Sequence, residues 1–130
     1  MRARQLRGAL ILAIVTPALA CARHRQPSGG ASMVYHVATA RITNNNFLDV
    51  NVYAARAGSR QRLGMVTGQN TQVFELPRQL IDARGLTIFI DVIGSSQSYE
   101  TELIALAPGQ QVTLVVQQRL AMSHYSVVDP

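Results

Sequence analysis

The chain has 130 residues with 12 arginines, 7 acidic residues and one cysteine, and its formal net charge is +5. This length suits one folded domain of ordinary size. Three of the arginines lie within the first seven residues, and the others are scattered, with Arg56, Arg60 and Arg62 as the closest group. We interpret this group as a solvated loop. Because no basic run forms, the charge argues against nucleic acid as a partner.

The first 20 residues have the layout of a secretory signal peptide. Arg2, Arg4 and Arg7 make a positive start, the apolar run from Gly8 to Val15 follows, and Pro17 and small residues end it. A helix that crosses a bilayer needs about 20 apolar residues, so this run is too short to span one. We therefore predict a signal peptide over residues 1–20.

The only cysteine, Cys21, directly follows this signal. Ala18-Leu19-Ala20-Cys21 resembles the lipobox of bacterial lipoproteins, whose cysteine is lipid-modified and becomes N-terminal. Ordinary cleavage after Ala20 is the alternative, and it would secrete a protein with one unpaired thiol into an oxidising compartment. Lipidation explains both the number and the position of the cysteine. The resemblance also implies the outer membrane, because Ala22 replaces the Asp that favours inner-membrane retention in enteric lipoproteins.

The segment after Cys21, with the sequence ARHRQPSGGAS, has no apolar periodicity. Its proline, glycines, serines and arginines cannot bury enough apolar surface to offset the entropy of ordering, as in flexible linkers. We assign residues 21–32 to the lipidated cysteine and a flexible tether. Residues 33–130 then form the folded domain.

Short alternating segments separated by turn residues fill this domain. In chain order, the pattern predicts strands over residues 34–43, 48–54, 61–67, 71–76, 86–93, 99–106, 112–116 and 120–128, the last as an added or extending strand. Residues 78–85 predict a single helical turn. Ala107-Pro108-Gly109-Gln110 predicts a type II turn that joins two neighbouring strands in a hairpin. About seven strands at this spacing predict an all-β fold, an antiparallel β-sandwich, with a small barrel as the alternative.

Packing alone must stabilise this domain, because it contains no cysteine. The residues predicted to form the core are Leu48, Val50, Val52, Leu63, Phe74, Leu76, Leu86, Ile88, Ile90, Leu103, Leu114 and Val116. Together they supply enough apolar surface for a domain of this size.

Two stretches look like known envelope domains. Asp49-Val50-Asn51-Val52-Tyr53 and the segment from Ala107 to Leu114, APGQQVTL, are similar to small immunoglobulin-like or transthyretin-like sandwich domains of uncharacterised bacterial envelope proteins. The resemblance implies an immunoglobulin-like sandwich and carries no active site.

Residue types with catalytic or metal chemistry do not cluster in the sequence. The three histidines lack metal-ligand spacing, and no nucleophile elbow, phosphate loop or dinucleotide fingerprint occurs. Glu100 and Glu102 share a predicted strand face, which we interpret as solvated. Asn44–Asn46 and Asp49 offer oxygen atoms to a calcium ion but lack the spacing of known calcium loops, so we predict a turn. We predict no catalytic residue, metal or cofactor.

Four side chains are candidates for contact with a partner. Tyr53 and Tyr99 are the rings predicted to face solvent. Phe89 and Ile93 lie on the face of their strand opposite the core, where two large apolar groups are unusual on a surface exposed to water. In the alternative, residues 78–85 or 120–128 fold over Phe89 and Ile93.

These observations predict a non-enzymatic envelope lipoprotein that acts as a binding or assembly module. A lipid on Cys21 would hold it in the membrane, and an envelope protein would be its partner. The alternatives are a carbohydrate-binding module and an accessory domain of a secreted hydrolase. The chain has no tryptophan, which weakens the first alternative, because sugars commonly stack on exposed aromatic rings.

Overall fold

The computed structural model describes residues 36–129, which form eight strands and two short 3-10 helices. The predicted signal peptide, Cys21 and the tether lie outside the described residues. The strands are β1 (Thr39–Asn44), β2 (Val50–Arg56), β3 (Ser59–Val66), β4 (Thr71–Glu75), β5 (Thr87–Val92), β6 (Ser98–Glu100), β7 (Gln111–Val116) and β8 (His124–Val128). The 3-10 helices are Arg78–Leu80 and Leu120–Met122. Within residues 36–129, no helix is long and apolar enough to cross a membrane.

The strands form two sheets of four, in the orders β4-β1-β7-β8 and β3-β2-β5-β6. Buried and less buried positions alternate along the central strands, because successive side chains point to opposite faces of a sheet. In β5 the buried residues are Ile88, Ile90 and Val92. The inner faces of the two sheets supply one buried cluster. The predicted all-β sandwich is therefore confirmed.

The number and direction of the strands differ from the prediction. There are eight strands, and β1 pairs with β7 in parallel, from Thr39 opposite Gln111 to Asn44 opposite Val116. The other strand pairs are antiparallel. A parallel pair needs a long crossover connection, which the strands between β1 and β7 provide. Alternation within a strand reveals its buried face but not its direction.

The predicted hairpin around residues 107–110 is wrong, although its turn is present. The N–H of Gln110 donates to the carbonyl of Ala107 at 3.2 Å, and Gly109 has a φ of 92°. However, β6 ends at Glu100 in the second sheet, and β7 lies between β1 and β8 in the first. The turn therefore ends a connection that crosses between the sheets.

Most of the predicted core is buried, with two errors. Leu48 and Leu103 are 47% and 65% exposed. Leu48 lies in the loop before β2, and Leu103 lies beyond the short β6, where the period-two pattern has ended. Ile104 is buried instead and bridges to Leu86. A shift of one residue in an extended chain moves a side chain to the other face. Leu63 and Phe74 are partly buried at the margin of the core.

Candidate functional site

An aromatic pair lies on the outer face of the second sheet. Tyr53 on β2 stands directly opposite Phe89 on β5. Their ring centroids are 6.1 Å apart and the ring planes make an angle of 63°, an edge-to-face arrangement that aromatic rings favour. The neighbouring residues Val52 and Ile90 are fully buried, so alternation directs the two rings away from the core.

The guanidinium of Arg60 lies over this pair. It is 3.7 Å from the ring centroid of Phe89 and 5.3 Å from that of Tyr53, within the range of cation–π attraction. A β-bulge between Val52 and Tyr53 shifts the pairing of β3, so that Tyr53 faces Arg62. Without this bulge, both arginines would point to the core side of the sheet. We call Tyr53, Phe89 and Arg60 the Arg60 cluster.

A hollow of about 390 Å³ adjoins the Arg60 cluster, and Arg60 also lines it. Its other walls include Thr87, Glu100 and Leu103, and Ala55 is among its small residues. The hydroxyl of Thr87 donates to a carboxylate oxygen of Glu100 at 3.0 Å. Leu103 is 65% exposed. The hollow thus combines a cation, an anion and an apolar side chain.

The structure brings together two of the four predicted contact residues, Tyr53 and Phe89. Phe89 is half-buried beneath Arg60. Ile93 is 39% exposed and lies just after β5, where its N–H donates to the carbonyl of Asp49 at 2.9 Å. Arg60 was not among the predicted contact residues, because its group of arginines was interpreted as a solvated loop. The alternation of Arg60 and Arg62 was the available signal of a strand.

Neither residues 78–85 nor residues 120–128 fold over Phe89 and Ile93. Residues 120–128 form a 3-10 helix and β8, which pairs with β7 in the first sheet. Residues 78–85 are attached near the end of β2, where Arg56 forms an ion pair with Asp82 and donates to the carbonyl of Gln79 at 2.8 Å.

The prediction that the Tyr99 ring faces solvent is wrong. Tyr99 lies opposite Ile90 on the inner side of the second sheet and packs against the core. Its hydroxyl donates to the carbonyl of Ser123 at 3.3 Å. Burial raises the pKa of Tyr99 above its ordinary value, and Tyr125 and Glu102 raise it further.

The asparagine-rich segment begins at the last residue of β1 and continues into the loop before β2. Asn44 is fully buried, and its amide donates to the carbonyls of Leu48 at 2.9 Å and Val66 at 3.2 Å. Its side-chain oxygen accepts the N–H of Asn46 at 3.0 Å. Asp49 accepts a backbone N–H from the β3–β4 turn at 2.9 Å. Across residues 36–129, no group of three or more His, Cys, Asp or Glu residues could hold a metal ion.

No protein-family model and no curated protein matches the chain. Among solved structures, the chain is similar to a protein from Eubacterium rectale whose structure was determined by NMR, with 14% sequence identity and a TM-score of 0.47. The match covers 78% of this chain and 95% of that chain.

Proposed function

We propose that this protein is a non-enzymatic binding module of the bacterial cell envelope, anchored in the membrane through a lipid on Cys21. The signal-like N-terminus and the position of the only cysteine support the anchor. We also propose that the domain is related to immunoglobulin-like or transthyretin-like envelope domains. It is supported by the two four-stranded sheets.

The proposed partner is an envelope protein that contacts the outer face of the second sheet. The observation that carries this proposal is the Arg60 cluster, in which a guanidinium lies 3.7 Å from the ring centroid of Phe89 beside an open hollow. Arginine and aromatic side chains are enriched among the residues that dominate binding energy at protein interfaces. The exposed Leu103 adds an apolar anchor at the rim.

Photo-crosslinking in cells tests this proposal. A photoreactive residue at Thr87, in the wall of the hollow, should yield a discrete adduct. The same residue at Arg41, an exposed position on β1 of the first sheet, is the matched control and should not. Equal adducts from both positions would contradict the assignment of the surface.

Two variants in the Arg60 cluster link the adduct to the named side chains. We expect Arg60→Ala and Phe89→Ser each to reduce the Thr87 adduct by about tenfold or more, as loss of an interface anchor does. Arg60 is exposed, so its variant should keep the wild-type melting temperature. Phe89 is half-buried, so its variant should lose less than the roughly 3 kcal/mol of a fully buried ring. An undiminished adduct in Arg60→Ala would refute the role of the cluster.

A further inference from the structure

A second concave surface lies at the end of the sandwich where β1 and β7 finish. It is an open cleft of about 690 Å³ that shares no lining residue with the hollow beside Arg60. Four of its lining residues carry side-chain amides, and these are Asn45, Gln69, Gln117 and Gln118. These residues can offer hydrogen bonds to a ligand that also contacts the apolar part of the same surface.

Most of these amides are available to a ligand. Within residues 36–129, the side chains of Asn45, Gln117 and Gln118 make no hydrogen bond. The Nε2 of Gln69 donates to the carbonyls of Asn45 at 2.7 Å and Asn46 at 3.2 Å, which leaves its Oε1 as an acceptor. The cleft therefore presents both donors and acceptors.

Hydrogen bonds from backbone N–H groups hold two of the walls of the cleft. The N–H of Asn45 donates to the carbonyl of Val116 at 2.8 Å, and the N–H of Gln117 donates to the hydroxyl of Ser123 at 3.0 Å. Gln69 has a φ of 59°, a left-handed conformation uncommon for residues other than glycine. Such bracing lowers the entropy that binding would otherwise cost.

The charged groups of the cleft have one sign. Arg119 and His124 line it and no acidic residue does. Within the described part of the chain, Arg119 takes part in no ion pair. Met122 also lines the cleft and is 64% exposed. An anionic group would therefore find a cation here, next to a small apolar surface.

We infer that this cleft binds an acidic saccharide, such as a sugar polymer that carries uronate carboxylates. Each sugar hydroxyl both donates and accepts, as side-chain amides do. The guanidinium of Arg119 matches a carboxylate in geometry and charge, and Met122 can contact the C–H face of a sugar ring. An apolar ligand would leave the amides without partners.

NMR titration of the full-length protein tests this inference. The ligands are a galacturonate trimer, the uncharged galactose trimer of the same linkage, tri-aspartate, and acetate. We expect the galacturonate trimer to shift the signals of Asn45, Gln118 and Arg119. Its affinity should exceed that of each other ligand by about tenfold or more, which is the gain expected from one charge-assisted hydrogen bond. No shift in the cleft, or equal binding of tri-aspartate or acetate, would overturn the inference.

Two variants test the contribution of the Arg119 charge to binding separately from that of the side-chain amides. Arg119→Gln should reduce galacturonate affinity to that of the uncharged trimer, whereas Gln118→Ala should weaken binding of both trimers. Arg84→Gln, an exposed position in the turn before β5, is the matched control and should bind as the wild type does. Equal losses in Arg84→Gln and Arg119→Gln would overturn the inference. Phe89→Ser should leave saccharide binding unchanged, so this inference and the proposed protein interface can fail independently.

Discussion

Asn44 illustrates how much one polar side chain can organise at the residue scale. It is fully buried and makes three hydrogen bonds, to the carbonyls of Leu48 and Val66 and to the N–H of Asn46. Buried polar groups are tolerated when their bonds are complete. This side chain therefore ties the loop after β1 to the end of β3.

Replacement of this side chain should destabilise the fold. Asn44→Ala leaves two carbonyls and one N–H without their partner, and an unsatisfied buried group costs about 1–3 kcal/mol. We expect a loss of about 3 kcal/mol in the free energy of unfolding, measured by urea denaturation. Asn45→Ala, one residue away, removes no side-chain hydrogen bond within the described residues and should cost less than about 0.5 kcal/mol. Similar losses in both variants would contradict this role.

The raised pKa of Tyr99 predicts that the free energy of unfolding changes with pH in the alkaline range. Burial raises its pKa above the ordinary value of 10.0, so above that pH the folded state holds a proton that the unfolded state releases. The stabilisation is therefore complete below pH 10 and is lost as the pH rises through the folded-state pKa. Tyr99→Phe should make the fall in unfolding free energy above about pH 10 shallower. An unchanged slope in this variant would show that other groups cause the fall.

At the scale of elements, the β3–β4 turn packs tightly against the loop between β1 and β2. A Cβ on Gly68 would stand 2.3 Å from the carbonyl oxygen of Phe47, a backbone atom. A Cβ on Gly64 would stand 2.6 Å from the ring of Phe74, a side chain at the margin of the core. Both positions are crowded, but only a side chain can move without disturbing a loop.

This difference predicts unequal effects of two matched substitutions. Gly68→Ala should lower the free energy of unfolding by about 3 kcal/mol, the upper end of the range for overpacking, because two loops must separate. Gly64→Ala should cost nearer to 1 kcal/mol, since the ring can shift. Urea unfolding of both variants measures the contrast, and a larger loss for Gly64→Ala would refute the explanation.

The elements also show where sequence patterns succeed. Alternation identified the buried face of β5, with Ile88, Ile90 and Val92 inward, because that signal depends only on neighbouring residues. It did not reveal the β-bulge opposite Tyr53. A bulge depends on the pairing partner, and the resulting position of Arg60 over Phe89 follows from it.

At the scale of the whole molecule, the proposed anchor and the domain make separate contributions. The described residues 36–129 contain equal numbers of arginines and acidic residues, so attraction between net charge and an anionic membrane would contribute little. In the proposed arrangement, the domain would therefore add little to an attachment made by the lipid on Cys21.

Lipidation can be tested through the position of the cysteine. A clickable fatty acid should label the wild-type protein, and Cys21→Ser should abolish the label and move the protein from the membrane to the soluble fraction. The double variant Cys21→Ser with Ser28→Cys keeps one thiol but moves it out of the lipobox, and it should also remain unlabelled. An unlabelled wild-type protein would exclude lipidation.

The sequence by itself determined the local features of this protein. Period-two alternation revealed most of the strands and the buried faces of the central ones, and Pro108 and Gly109 marked the turn before β7. These signals depend on the few residues around each position, since a side chain in a strand points to one face or the other whatever its partner.

Only the tertiary structure decided which distant segments meet. It placed β7 in parallel beside β1, turned the ring of Tyr99 inward, and set Arg60 over Phe89. It also assembled the amide-lined cleft from the loop after β1, the β3–β4 turn and the residues after β7. Strand direction, register and bulges arise from pairing between residues far apart in the chain, and the alternation within one strand contains no information about that partner.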